Sequence, residues 1–137
     1  MNDKERIYDM LKQVGEALQF QVFTEVAARS EYWVDLVWFD NRIPSALFGE
    51  KPNLSNSFML PVAAFEIEVA TGSGKPIKGS IKNLESLGAP VSCIVVCEER
   101  MQMHLKSIRA LARDSVNNIA VMTDKEVEAI YNKLVKK

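Results

Sequence analysis

The sequence predicts an α/β fold, a three-layer α/β/α arrangement with a central mixed sheet. Three observations carry this. Apolar residues recur at helical spacing near both ends of the chain; strand-like segments follow the first helix in succession; from there helix and strand patterns alternate. With 137 residues, 47% apolar and 26% charged, the chain suits a single domain over 1–137 with a sizeable core.

Residues Asn2 to about Leu18 read as a helix, because Ile7, Leu11, Val14 and Leu18 form one apolar stripe behind a capping Asn2 or Asp3. Phe20 to Val26 alternates, with Phe20, Val22, Thr24 and Val26 on one face, and reads as a strand closed by a turn over Ala27–Glu31. Tyr32 to Phe39, YWVDLVWF, is a second strand, with Trp33, Asp35 and Val37 expected on one face and Val34, Leu36 and Trp38 on the other. Asp40 to about Phe58, with Pro44 and Pro52, reads as a long loop with a short element near Ala46–Phe48, and Phe48 and Phe58 are candidates for partner contact.

Met59 to Val69 is the third strand. Thr71 or Ser73 is placed to cap a helix from Lys75 to about Leu87, with Pro76 in its first turn, Ile77, Ile81 and Leu84 inward, and Gly88 as the stop. Pro90 to Cys97 is a short apolar strand of the kind covered on both faces. Glu98 to about Arg113 reads as one helix with Met101, Leu105, Ile108 and Ala112 inward, and Asn118 to Met122 as a strand. Thr123-x-x-Glu126 is a capping box opening a last helix, Asp124–Lys136, with Val127, Ile130, Tyr131 and Leu134 inward. The order is αβββαβαβα.

No apolar run is long enough to span a membrane, and MNDKERIYDMLKQ lacks the apolar core of a signal peptide, so a cytoplasmic protein without membrane contact is expected. Cys93 and Cys97 fall about 13 Å apart on a strand, beyond disulfide reach, and read as buried thiols. A net charge of −1 does not advertise a nucleic-acid binder, although local potential decides binding and acids at a metal site lower the total.

The chemistry concentrates in PVAAFEIEVATGSGKPIKGSIKN, Pro61 to Asn83. Glu66 and Glu68 stand at i and i+2 on a strand and leave the same face, and Asp35 is an acid inside the preceding, otherwise apolar strand. A half-exposed strand with acids on its wet face is the plain alternative. The apolar flanks Val62 to Phe65, Ile67 and Val69, and the matching position of Asp35, argue against it. Three converging carboxylates repel one another, and a divalent cation removes the conflict; all-oxygen ligands suit Mg²⁺ or Mn²⁺. Lys75, Lys78 and Lys82 share a face of the following helix and are placed to offer an ammonium to the site or to a phosphate.

The arrangement Asp35, Glu66-Ile67-Glu68, a lysine-bearing helix and an apolar strand resembles the PD-(D/E)xK nuclease superfamily, whose restriction-endonuclease-like core is an αβββαβ unit. On that resemblance the order matches from Asn2 to Cys97, and the rest is a C-terminal αβα extension. The resemblance implies Mg²⁺- or Mn²⁺-dependent phosphodiester hydrolysis of nucleic acid, most simply as a DNA endonuclease. It implies Asp35, Glu66, the Ile67 carbonyl and Glu68 at the metal. The usual lysine is here Glu68, which implies a migrated lysine at Lys78 or Lys82. Many members carry a first-helix glutamate, for which Glu5 and Glu16 qualify by position. Double-strand cleavage by one site per chain implies a homodimer. The rival from another class is a catalytically inactive nuclease-like module that binds or dimerises. A small-molecule-binding α/β regulator has no dedicated motif in its favour.

Two other features carry less. Ala70-Thr-Gly-Ser-Gly-Lys75 departs from the phosphate-binding loop of ATPases, because Val69 stands where glycine is needed and Pro76 where a hydroxyl is needed. His104, the single histidine, flanks an apolar helical stripe and has no partner for a hydrolase triad.

Overall fold

The computed structural model describes residues 2–29, 31–48, 59–69, 74–115 and 118–136. It is an α/β structure: a five-stranded mixed sheet flanked by helices. The strands β1 (Gln21–Arg29), β2 (Tyr32–Asp40), β3 (Leu60–Glu68), β4 (Val91–Val96) and β5 (Ala120–Thr123) stand side by side in chain order. The first three pair antiparallel, and β3, β4 and β5 pair parallel. Parallel neighbours need crossovers, which are supplied by α3 (Gly74–Leu87), then by α4 (Glu98–Met101) and α5 (Leu105–Arg113). Helix α1 (Asp3–Ala17) precedes the sheet, α2 (Arg42–Phe48) follows β2, and α6 (Asp124–Leu134) follows β5. Among the described residues no helix is long and apolar enough to cross a membrane.

Two apolar clusters hold the sheet between helices. One gathers Ile7, Met10 and Leu11 of α1 and Val127 of α6 against Leu36, Phe65, Ile67, Cys93 and Val95. The other gathers Ile77 and Leu84 of α3 and Ile108 and Ala112 of α5 against Val37, Ala64, Ile94 and Val96. β4 contributes to both, as its unbroken apolar sequence requires. The cysteines are buried and free.

Capping sets the helix ends. The Asn2 side chain accepts the Glu5 N–H at 2.8 Å, and Thr123 and Glu126 form the expected capping box. Gly88, at φ +68°, ends α3. The first turn of α1 is tied to distant sequence. Arg6 pairs with Asp124 at 2.8 Å and Glu128 at 3.3 Å, and Arg100 pairs with Asp3 at 3.0 Å. Burial pushes the Asp124 carboxyl pKa up, but the Glu98 N–H and the Arg6 guanidinium outweigh it and hold the pKa below the usual range.

The structure departs from the sequence expectations in four places. β1 runs on to Arg29 where a turn was expected from Ala27, because a bulge between Ala27 and Arg29 lets Arg29 pair with Tyr32. Arg42–Phe48 forms a helix at the start of the expected loop. The helix expected over Glu98–Arg113 is broken by a 3₁₀ turn at Gln102–His104 that leaves Met103 exposed, while Met101, Ile108 and Ala112 stay buried across the break. Leu18 and Ile130, expected inward, are partly exposed. The expected caps Thr71 and Ser73, and Phe58 of the loop, lie outside the described residues, as do the side chains of Phe48 and Lys75.

A further departure positions the site. Val22 packs in the α1 cluster but Val26 in the α3 cluster, and across the ladder Leu36 and Val34 divide the same way. Strict alternation puts residues two apart on one face, so both strands switch faces between these pairs. Glu25, at φ +54°, lies at the switch on β1, and Asp35 lies at the switch on β2. The expected grouping of Asp35 with Trp33 and Val37 therefore does not hold: Asp35 sits in a kink and belongs to neither apolar cluster.

Close packing makes one further position exacting. A Cβ built on Gly15 would lie 2.5 Å from Trp38 Nε1 and 2.8 Å from Val22 Cγ2. Trp38 cannot retreat without giving up its 3.1 Å bond to the Leu11 carbonyl. Gly15→Ala ordinarily gains about 1 kcal/mol in a helix, but here overpacking costs about 1–3 kcal/mol. Urea denaturation is expected to show net destabilisation; an alanine variant more stable than wild type would refute this packing account.

Candidate active site

The antiparallel ladder between β2 and β3 ends at the pair Leu36–Phe65. The next positions in that register are Asp35 and Glu66, and there the strands are bridged by side chains. The Asp35 N–H donates to Glu66 Oε2 at 2.8 Å, and the Ile67 N–H donates to Asp35 Oδ2 at 2.8 Å. Each carboxylate thus accepts a backbone N–H from the other's strand. The two expected acids are brought together at the fork where β2 and β3 part.

α1 and α3 close the fork. From α3, Asn83 Nδ2 donates to Glu66 Oε1 at 2.8 Å and Ser80 Oγ donates to Glu68 Oε1 at 3.4 Å. From α1, Lys4 Nζ lies 4.0 Å from Asp35 Oδ2 and 6.0 Å from the centre of the Tyr8 ring. Lys4 and Tyr8 also line a cleft of about 520 Å³ between α1 and β1, together with Glu5 and Glu25.

Glu66 is 4% exposed. Burial, then the charge of Asp35, push its carboxyl pKa up to about 8, and the hydrogen bonds from Asn83 and the Asp35 N–H only partly offset them. Burial raises Glu68 as well; Lys4 opposes that shift, Asp35 adds to it and Ser80 opposes it. Burial and the Asp35 charge push the Tyr8 hydroxyl well above its ordinary range. Without a cation the raised pKa of Glu66 favours its protonated form, which eases the conflict.

The donor set decides which cation fits. Glu68 does not complete a three-acid cage: among the described residues no group of three or more His, Cys, Asp or Glu side chains is gathered closely enough to hold a metal ion. Asp35 and Glu66 remain, two oxygen ligands on adjacent strands. Mg²⁺ is commonly held by one or two carboxylates, keeping waters and substrate phosphate as its other ligands, so the pair fits Mg²⁺ or Mn²⁺ and not a softer ion.

Of the lysines expected at the site, Lys78 and Lys82 have described side chains. Lys78 and Lys82 are exposed, and among the described residues neither forms an ion pair. Helix geometry explains this, because Lys82 is turned about 160° from Leu84 on the buried stripe. The α3 side chains that reach the acids are Ser80 and Asn83, which flank that stripe. Of the first-helix acids, Glu5 lies in the cleft beside Lys4, and Glu16 is about 16 Å further along α1. His104 is exposed on the 3₁₀ turn.

Lys4, Tyr8, Ser80 and Asn83 were missed in the sequence. Lys4 and Tyr8 carry a readable signal, an i,i+4 pair beside the Ile7/Leu11 stripe. Ser80 and Asn83 carry none, since an interior serine and amide match an ordinary solvated helix face.

The raised Glu66 pKa has a testable sign. Between about pH 4.5 and 8 the folded chain keeps a proton on Glu66 that the unfolded chain releases. The stability this group contributes is present below pH 4.5 and lost as pH rises through 8. In EDTA the unfolding free energy from urea denaturation is expected to fall across this window, by at most about 1.4 kcal/mol per pH unit, and Glu66→Gln is expected to flatten the fall. An equally steep profile in the variant would show that Glu66 does not titrate there.

No family model matches this chain, and comparison with curated proteins and with solved structures finds no match. The resemblance to the PD-(D/E)xK superfamily therefore rests on the chain's own residues.

Proposed function

We propose that this protein is a Mg²⁺- or Mn²⁺-dependent nuclease that hydrolyses phosphodiester bonds, most simply in DNA, on a three-layer restriction-endonuclease-like core. One observation carries the reading: Asp35 and Glu66, on adjacent strands, share the fork where the β2–β3 ladder ends, with Glu66 buried. A buried acid beside a second carboxylate is costly to a fold, and such costs concentrate where chemistry needs them.

In this reading Asp35, Glu66 and the Ile67 carbonyl hold the ion. When bound, the ion polarises the phosphoryl oxygen and acidifies a water. Glu68, its pKa already raised, accepts a proton from the attacking water as the water oxygen bonds to phosphorus. The bond from phosphorus to the leaving oxygen breaks, and that oxygen takes a proton from solvent. Asn83 fixes the rotamer of Glu66. Lys4, half-exposed and already beside Asp35, supplies the positive charge that the sequence pattern assigned to Lys78 or Lys82. One such site cuts one strand, so double-strand cleavage requires two copies.

The second reading, an inactive nuclease-like module that binds or dimerises, is favoured by the hydrogen bonds themselves. Both carboxylates already have donors without a cation.

Metal binding separates the two. Mg²⁺ or Mn²⁺ at about a hundred times its Kd is expected to stabilise the fold by about 2.7 kcal/mol, and Glu66→Gln to abolish the effect. Mn²⁺-dependent nicking of supercoiled plasmid is expected to fall at least about a hundredfold in Asp35→Ala. Lys4→Met is expected to slow nicking while leaving the metal-induced stabilisation in place. No thermal shift at millimolar metal, or full activity in Asp35→Ala, would overturn the active-site reading.

A further inference from the structure

The sequence contains six arginines. Five have a carboxylate partner: Arg6 with Asp3, Asp124 and Glu128, Arg42 with Asp40, Arg100 with Asp3, Arg109 with Glu126 and Arg113 with Asp114. Arg29 is the exception, since among the described residues it forms no ion pair. It lies at the end of β1 and lines a groove of about 280 Å³ with Tyr32, Lys82, Glu85 and Ser86. Lys82, also without an ion pair, faces it across that groove from α3. Glu85, the one acid there, accepts a hydrogen bond from Ser115 Oγ at 3.1 Å. The Ser86 hydroxyl is already donated to the Lys82 carbonyl at 2.8 Å, which leaves two cations with no carboxylate partner among the described residues, beside a tyrosine ring, to meet an anion attached to a flat group.

The groove is mechanically joined to the acid fork. Tyr32 precedes Asp35 by three residues on β2, about 10 Å of strand. Lys82 directly precedes Asn83, whose amide holds Glu66. A duplex strand advances about 3.4 Å per nucleotide, so 10 Å corresponds to about three nucleotides.

We propose that the Arg29–Lys82 groove binds the phosphodiester backbone of the nucleic-acid strand about three nucleotides from the scissile phosphate, with Tyr32 against a sugar or base. This rests on the nuclease reading, and it gives Lys82 a binding role in place of a catalytic one. Phosphate contacts of this kind set register and affinity without reading sequence.

The test is fluorescence anisotropy with a labelled 20-nucleotide single strand and its duplex, in Ca²⁺ or EDTA to prevent cleavage, across a salt series. Arg29→Ala and Lys82→Ala are each expected to weaken binding equally for unrelated sequences. Each is expected to reduce the slope of log K against log salt by about 1. Lys106→Ala with Arg109→Ala, on an exposed basic stretch of α5, is the control and is expected to leave both quantities unchanged. Wild-type slopes in both groove variants, loss confined to the control, or no oligonucleotide binding by the wild type would overturn the proposal. The Mg²⁺-induced thermal shift reads the acid fork separately. If that shift is present and the groove variants bind like wild type, the groove inference fails and the nuclease reading stands. If the groove variants behave as expected and the shift is absent, the metal reading fails and nucleic-acid binding remains.

Discussion

The reciprocal bonds between Asp35 and Glu66 are the constraint on which the rest depends. The antiparallel pairing of β2 with β3 stops at Leu36–Phe65, while β3 stays paired with β4 as far as Glu68. Parting leaves backbone N–H groups without carbonyl partners, and an unpaired buried donor costs about 1–3 kcal/mol. Here the Asp35 and Ile67 N–H groups are met by the carboxylates of Glu66 and Asp35. The acids are therefore structural: they close the end of a ladder, and the closure holds the two carboxyl groups side by side.

Other features fall into place around this fork. The face switch falls at Glu25 and Asp35, and the Asp35 carboxylate there meets the Ile67 N–H of β3. A left-handed conformation at a non-glycine residue costs about 1–2 kcal/mol, and such strain persists where surrounding structure over-determines it. The two helices then divide their tasks. α3 supplies neutral donors, which hold the acids in place, while α1 supplies Lys4, whose charge opposes without cancelling the rise that burial gives the Glu68 pKa.

Much of this was legible in the sequence. Alternation and helical spacing located all five strands and the long helices, because those patterns record which face is buried. Asp35 and Glu66 stood out because a carboxylate inside an apolar strand demands a partner. What escaped was whatever depends on backbone detail. The face switch rests on one φ angle at Glu25, a residue that does not advertise the left-handed region as glycine does. Lys78 and Lys82 share a face, as their spacing says, but spacing alone does not say where that face points once Ile77 and Leu84 are buried. Lys4 was hidden because proximity between α1 and the β2–β3 fork is a tertiary fact.

The ties of α1 bear on how this chain comes to be folded. Arg6 reaches Asp124, 118 positions away, and Arg100 reaches back 97 positions to Asp3. Helix α1 is thus secured by groups far along the chain, and contacts of such separation close slowly because loop entropy must be overcome first. The acid fork is built from β2, β3 and α3, but Lys4, the cation that pairs with Asp35 among the described residues, sits on a turn that Arg6 anchors to α6, so loss of that distant anchor is felt at the fork.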